Sequence, residues 1–280
     1  MKNKTAIVAV FAGIALLAGA AWGQNQPKPK SQKELDGLRA IDTAPSAEAR
    51  LQKIDDFLSA FADSDFKLMV LDEAVEIASE KNDYPLALAW GQRDLSVNPK
   101  SYVAMASLAL VTANNTKEFD LDKDQKVKQA TTWATEALDA LKTAPRPFQF
   151  PEDKWPMIKT SFEASCHQAL GLIGTVNKKY DVAATEFQTA YDLQPEPSYL
   201  VRKGEAQSKD RKYDDAIATY DKVLAMPDLN PVVKRVTENM KNNALRAKNA
   251  SVAPAAKPAA APAPPPAAPA PAPPAQDEKK

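Results

Sequence analysis

The chain carries 36 basic and 36 acidic side chains over 280 residues, so no net charge draws it toward nucleic acid or anionic lipid. No basic tract is interleaved with aromatic residues, which removes the usual footprint of a nucleic-acid binder. A single cysteine excludes an intrachain disulfide, and packing alone must hold the fold.

Residues 1–23 set Lys2 and Lys4 before an apolar run from Ala6 to Ala21 and the small-residue site Ala21-Trp22-Gly23. This order predicts a secretory signal peptide cleaved after Gly23, and hence a periplasmic or secreted protein. The alternative is an uncleaved inner-membrane anchor, for which a run of about 16 residues falls short of the ~20 that span a bilayer. Residues 24–32 read as a linker. Cleavage would remove two lysines, leaving 34 basic against 36 acidic side chains.

Residues 33–248 show helical periodicity, few glycines and no strand alternation, which predicts an all-α domain. Short polar turns, EKND at 80–83, NKKYD at 177–181 and KDRKYD at 209–214, join helices into antiparallel hairpins. Residues 101–142 form a further hairpin with a longer connection at 114–125. There Asp120, Asp122 and Asp124 alternate as in a calcium loop, but Gln125 and Thr131 stand where such a loop needs Gly and Glu. A solvated loop is expected. Val127, Ala130, Ala134, Ala137, Leu138 and Leu141 then write one helical stripe.

The segment TAPRPFQFP at 143–151 interrupts the helices. It reads as a hinge, as a flap whose Phe148 and Phe150 cover a groove, or most simply as a connector whose aromatics pack on neighbouring helices. Beyond it, Trp155, Ile158, Phe162, Cys166, Ala169, Leu170 and Ile173 form a longer stripe. Cys166 lies on that stripe and reads as an inert core thiol. The lone His167 has no partners at ligand spacing and reads as structural.

After Asn230 and Pro231, a cap and a first-turn proline, a closing helix is expected over 231–248. Its apolar side is Val233, Val236, Met240 and Ala244, opposite Lys234, Arg235, Glu238, Lys241 and Asn242. Residues 249–280 read as a disordered tail, because Ser251 to Lys280 hold ten of the 23 prolines, alternating with alanine. Such a tail serves as a solubilising segment, a spacer, or a ligand for proline-binding modules.

One phrase is written twice: KYDVAATEF at 179–187 returns as KYDDAIATY at 212–220, offset by 33 residues. In 164–196, Leu170 and Gly171 lie in the first helix, Ala183, Phe187 and Ala190 in the second, and Pro195 ends it. In 197–229 the corresponding places hold Gly204, Ala216 and Tyr220. This pattern resembles the tetratricopeptide repeat, whose hairpins need small residues at the close contact and large ones at the interlock. The resemblance implies Gly171 with Ala183 as the small contact pair and Phe187 as the knob. It further implies a right-handed solenoid of stacked antiparallel hairpins, with disordered N- and C-terminal segments. This chain departs from the family at His167 and Leu200 (often Trp), Gly174 and Gln207 (often Tyr), and Lys203 (often Leu).

Upstream the pattern loosens. Residues 84–99, YPLALAWGQRDLSVNP, keep Tyr84, Ala87 and Pro99 but place Gly91 at the knob position, a space that Trp90 is expected to fill. Residues 49–66, ARLQKIDDFLSAFADSDF, are similar to the repeat variant of bacterial envelope-assembly proteins, with Ala62-Asp63-Ser64 in place of a Pro-Asp-Ser turn.

In the family, first helices line a concave groove that receives a peptide or a partner's helix. The resemblance implies Ser165, Gln168, Leu172, Val176, Ser198, Val201 and Glu205 as groove residues. They lack the Lys and Asn of the family's carboxylate clamp, so an apolar or mixed partner surface is expected. No phosphate loop, His-Glu-x-x-His or serine elbow occurs, and neither cofactor nor metal is expected. Acidic residues are expected on turns and outward faces; hydrolysis by paired carboxylates would require them in a deep pocket. The expectation is a non-enzymatic protein-binding scaffold of a bacterial cell envelope, with no nucleic-acid partner and no membrane span after signal cleavage. The alternative is a binding module for a cell-wall polymer or glycan, with the tail as spacer.

Overall fold

A computed structural model describes residues 27–252; residues 1–26, which include the segment read as a signal peptide, and residues 253–280, read as tail, lie outside the described residues. Eleven helices and no strands occur among the described residues. They are α1 (Gln32–Asp42), α2 (Ala47–Ala60), α3 (Lys67–Glu80), α4 (Tyr84–Val97), α5 (Tyr102–Asn114), α6 (Lys123–Thr143), α7 (Trp155–Val176), α8 (Tyr180–Leu193), α9 (Pro197–Lys209), α10 (Tyr213–Leu224) and α11 (Pro231–Val252). Consecutive helices pack as hairpins α1–α2 through α9–α10, each hairpin packs on the next, and α11 closes the stack against α9 and α10.

Local chemistry sets the helix ends. Ser31, Ser46, Asp83 and Ser101 cap α1, α2, α4 and α5, each side-chain oxygen accepting the backbone N–H three residues on at 3.1 Å. The two copies of the echoed phrase open on identical turns. Lys178 and Arg211 adopt φ of 58° and 60°, and the following Lys179 and Lys212 N–H groups donate to the Gly174 and Gln207 carbonyls at 2.8 and 2.9 Å. This reversed last turn satisfies the helix-end carbonyls and aims the second helix back along the first.

Small residues then set how closely the helices approach. A Cβ on Gly171 would lie 2.7 Å from the Phe187 ring, and one on Gly204 would lie 2.5 Å from Tyr220. Both rings are almost fully buried. Ala183 meets Gly174 rather than Gly171, with a Cβ there 3.2 Å away. The implied pairing of Gly171 with Ala183 is corrected accordingly: Gly171 seats the ring, and Gly174 admits the backbone. In the α4 hairpin the space over Gly91 is filled by Leu108 of α5, which a Cβ on Gly91 would meet at 2.6 Å, and not by Trp90.

Helix α5 is the centre of the stack. It is apolar all round and buried from Val103 to Ala113, touching α3, α4, α6 and α7. The α7 stripe buries Ile158, Phe162, Cys166, Ala169 and Ile173 against this core. Burial, with the charge of Glu163 adding to it, pushes the Cys166 thiol up to about 12. Cys166 is therefore expected to resist a thiol-reactive disulfide reagent in the native protein and to react stoichiometrically in denaturant; fast native labelling would contradict the packing.

Helix α11 differs from its sequence reading in two ways. It runs four residues past 248, into the segment read as tail. Its buried face uses Thr237, fully buried, in place of the expected Val236, which is 36% exposed. Thr237 is tolerated there because its hydroxyl donates to the Val233 carbonyl at 2.8 Å. Among the described residues no helix is long and apolar enough to cross a membrane.

Candidate functional site

A cleft of about 850 Å³ opens between the second and third hairpins. One wall is α3, with Leu68, Met69 and Asp72; the other is the start of α5, with Ser101 and Tyr102. The C-terminal end of α6 and the connector 144–149 form its roof. The connector is held down by its aromatic residues. Phe148 meets Phe66 edge-on at 6.1 Å, Phe150 stacks on Trp155 at 6.0 Å, and Arg146 donates to the Phe150 carbonyl at 2.5 Å. Of the three readings of this segment, packing of the aromatics is the one observed, and the packed connector borders a cleft.

Phe148→Ala is expected to cost roughly 1–2 kcal/mol, since the ring is half-buried. It should also speed hydrogen exchange at the Gln149 and Phe150 amides. Unchanged exchange would show that Phe148 does not hold the connector.

Several acids are buried in this part of the stack, contrary to the expectation that carboxylates stay on solvated faces. Glu73, Glu76 and Asp94 are all buried, and Asp94 exposes none of its surface. Glu73 pairs with Arg50 at 3.3 Å, yet burial still raises its carboxyl above the ordinary range. Asp72 lines the cleft, with Asp94 and Glu76 as its acidic neighbours. Burial first, then the neighbouring Asp94 and Glu76, hold Asp72 well above the carboxylate range. Burial likewise raises Asp94 and Glu76. Ser101 Oγ donates to Asp72 at 3.2 Å, and the Asp72 and Ser101 side chains partly offset, by hydrogen bonding, the effect of burial on Asp94. The contact with Asp94 adds to the rise of Asp72.

The sequence signal for these buried acids is Asp94 itself. Ala87, Gly91 and Asp94 share the buried side of α4, a spacing of four and three that places an acid where an apolar residue belongs.

The groove residues implied by the repeat register lie on α7 and α9 and differ in burial. Ser165 and Gln168 are buried on α7, and Val201 is buried among Leu200, Val223 and their neighbours. Leu172 and Val176 are half-buried, Ser198 is exposed, and Glu205 pairs with Lys209 at 2.9 Å. None of them lines the cleft, which lies further toward the N-terminus. His167 faces Glu186, Nδ1 to Oε2 at 2.7 Å. Asp120 and Asp122 both pair with Lys126, at 3.3 and 3.1 Å, so a lysine occupies the middle of the acidic loop. Among the described residues no three side chains gather as metal ligands.

The structure is similar to that of TTC0263, a thermophilic TPR protein of Thermus thermophilus, with a TM-score of 0.50 over 74% of this chain and 98% of that one. This chain has a tetratricopeptide-like fold. Sequence identity between the two is 15%, so the likeness concerns the fold alone. No family model matches the chain, and no curated protein matches it either. The cleft described above is a feature of this chain's own residues.

Proposed function

We propose that this chain is a non-enzymatic protein–protein interaction scaffold of a bacterial cell envelope, taking a segment of its partner into the cleft between α3 and α5. The observation that carries the reading is the cleft itself. It is walled by consecutive hairpins of a tetratricopeptide-like stack, bordered by a packed connector, and has the volume of a binding site. The envelope location rests on the pattern of residues 1–23.

The carboxyl pair beneath the cleft fits binding better than hydrolysis. Paired-carboxylate catalysis needs both groups at the reacting bond, and Asp94 has no exposed surface with which to reach a substrate. Crosslinking the full chain in cells, followed by affinity capture and mass spectrometry of envelope fractions, tests the reading. The same protein partner is expected in every replicate. Recovery of none would overturn the scaffold role, and recovery only from cytoplasmic fractions would overturn the location.

A further inference from the structure

We propose that the proline-rich run 253–276 folds back onto its own chain and occupies this cleft, so that a partner must displace it. The inference takes the cleft from the scaffold reading and adds an occupant that the chain carries itself.

Residues 253–276 consist of ten prolines, twelve alanines, Lys257 and Gln276. Proline has no N–H and favours an extended, polyproline-II-like course, so the run offers backbone carbonyls with few donors of its own. Segments of this kind dock in aromatic-lined grooves, where side-chain donors take up the free carbonyls.

The cleft supplies both features. Leu68, Met69, Tyr102 and Phe148 line it, and Leu68 leaves 40% of its surface uncovered. The second, independent observation is a set of idle donors. Tyr102, Gln149 and Lys100 also line the cleft, and among the described residues neither the hydroxyl, the carboxamide nor the ammonium donates a hydrogen bond. Burial, with the nearby Asp72 and Glu76 adding to it, raises the Tyr102 hydroxyl, so it keeps its proton and remains a donor. Charge agrees in sign. Acids outnumber Lys100 around the cleft, whereas residues 253–280 carry three lysines against two acids.

The run is also long enough. The longest route leads back along all of α11, ~33 Å at 1.5 Å per residue. It then crosses three layers of the stack to α5, ~30 Å at about 10 Å per helix spacing. At ~3.1 Å per residue the run spans about 74 Å, which brings the region of Pro273 and Pro274 to the cleft. Tethering raises its local concentration into the millimolar range. A contact too weak to hold a free peptide therefore still holds the tethered one.

A nitroxide on Ala275→Cys in the full chain reads the contact directly, because Cys166 is buried and stays unlabelled. The amide signals of Leu68, Tyr102 and Gln149 are expected to broaden, and to sharpen again when Pro269, Pro271, Pro273 and Pro274 are replaced by glycine. Those four positions lie beyond α11, so the stack stays folded. A fluorescent peptide of residues 262–276 then measures access to the cleft. It is expected to bind the glycine variant at least tenfold tighter than the native chain. No broadening, or peptide binding that is absent or equal for the two proteins, overturns the proposal. Broadening seen only between molecules, when spin-labelled and isotope-labelled chains are mixed, overturns it too and gives the run to a second copy. A partner crosslinked at the cleft without tail contact would keep the scaffold reading and sink the occupant. Tail contact without any captured partner would do the reverse.

Discussion

Phe187→Ala is expected to lower the unfolding free energy by about 3–5 kcal/mol, the range for deleting a buried aromatic ring. The ring is 1% exposed and sits over Gly171 in the contact that brings α7 and α8 together. The sharper test is a sign change at the glycine. In the native background Gly171→Ala places a methyl 2.7 Å from the ring, and overpacking of this kind costs about 1–3 kcal/mol. In the Phe187→Ala background the methyl enters the vacated space, and better helix propensity should make the substitution stabilising by up to ~1 kcal/mol. Urea titrations of the four proteins give the coupling. Additive effects would mean that Gly171 is not held small by Phe187.

The second large effect concerns pH. Burial raises the carboxyls of Asp72, Glu73, Glu76, Glu80 and Asp94. A carboxyl with a folded pKa above its unfolded value binds its proton more tightly when folded. Its contribution is complete below the unfolded value, about 4, and is lost as pH climbs through the raised folded value. The protein should therefore be more stable in mild acid than at pH 8, the opposite of ordinary acid denaturation. Asp72→Asn removes one such titration and lets the side-chain amide donate to Asp94. It is expected to gain roughly 1–3 kcal/mol at pH 8 and little at pH 5. At about 2–4 °C per kcal/mol for a domain of this size, thermal melts at the two pH values resolve the difference. An equal shift at both would show that Asp72 is ionised throughout.

Within a hairpin the small and large residues of the contact were legible, although Ala183 meets Gly174 and not the expected Gly171. Gly171 with Phe187 and Gly204 with Tyr220 recur at the same spacing because one local packing problem is solved twice. Contacts between hairpins were not legible in this way. Leu108 fills the space above Gly91 from the next hairpin, so no spacing within 84–99 points to it. The cleft is of the same kind, since its border is a connector folded back through Phe148 onto Phe66, a contact made by tertiary packing. The buried acids did leave a trace, because Asp94 occupies the buried side of α4 among alanine and glycine. On α3, by contrast, the acids looked like an ordinary polar face. They are buried because α4 and α5 both pack on that helix.

A photo-crosslinking residue at Gln149, which lines the cleft, tests the central claim most directly, with Lys128, exposed toward the other end of α6, as the control. Irradiation in cells that make the full chain should yield one discrete protein adduct from position 149 and none from 128. Adducts of equal yield at both positions, or an adduct at 128 alone, would contradict a partner-binding cleft.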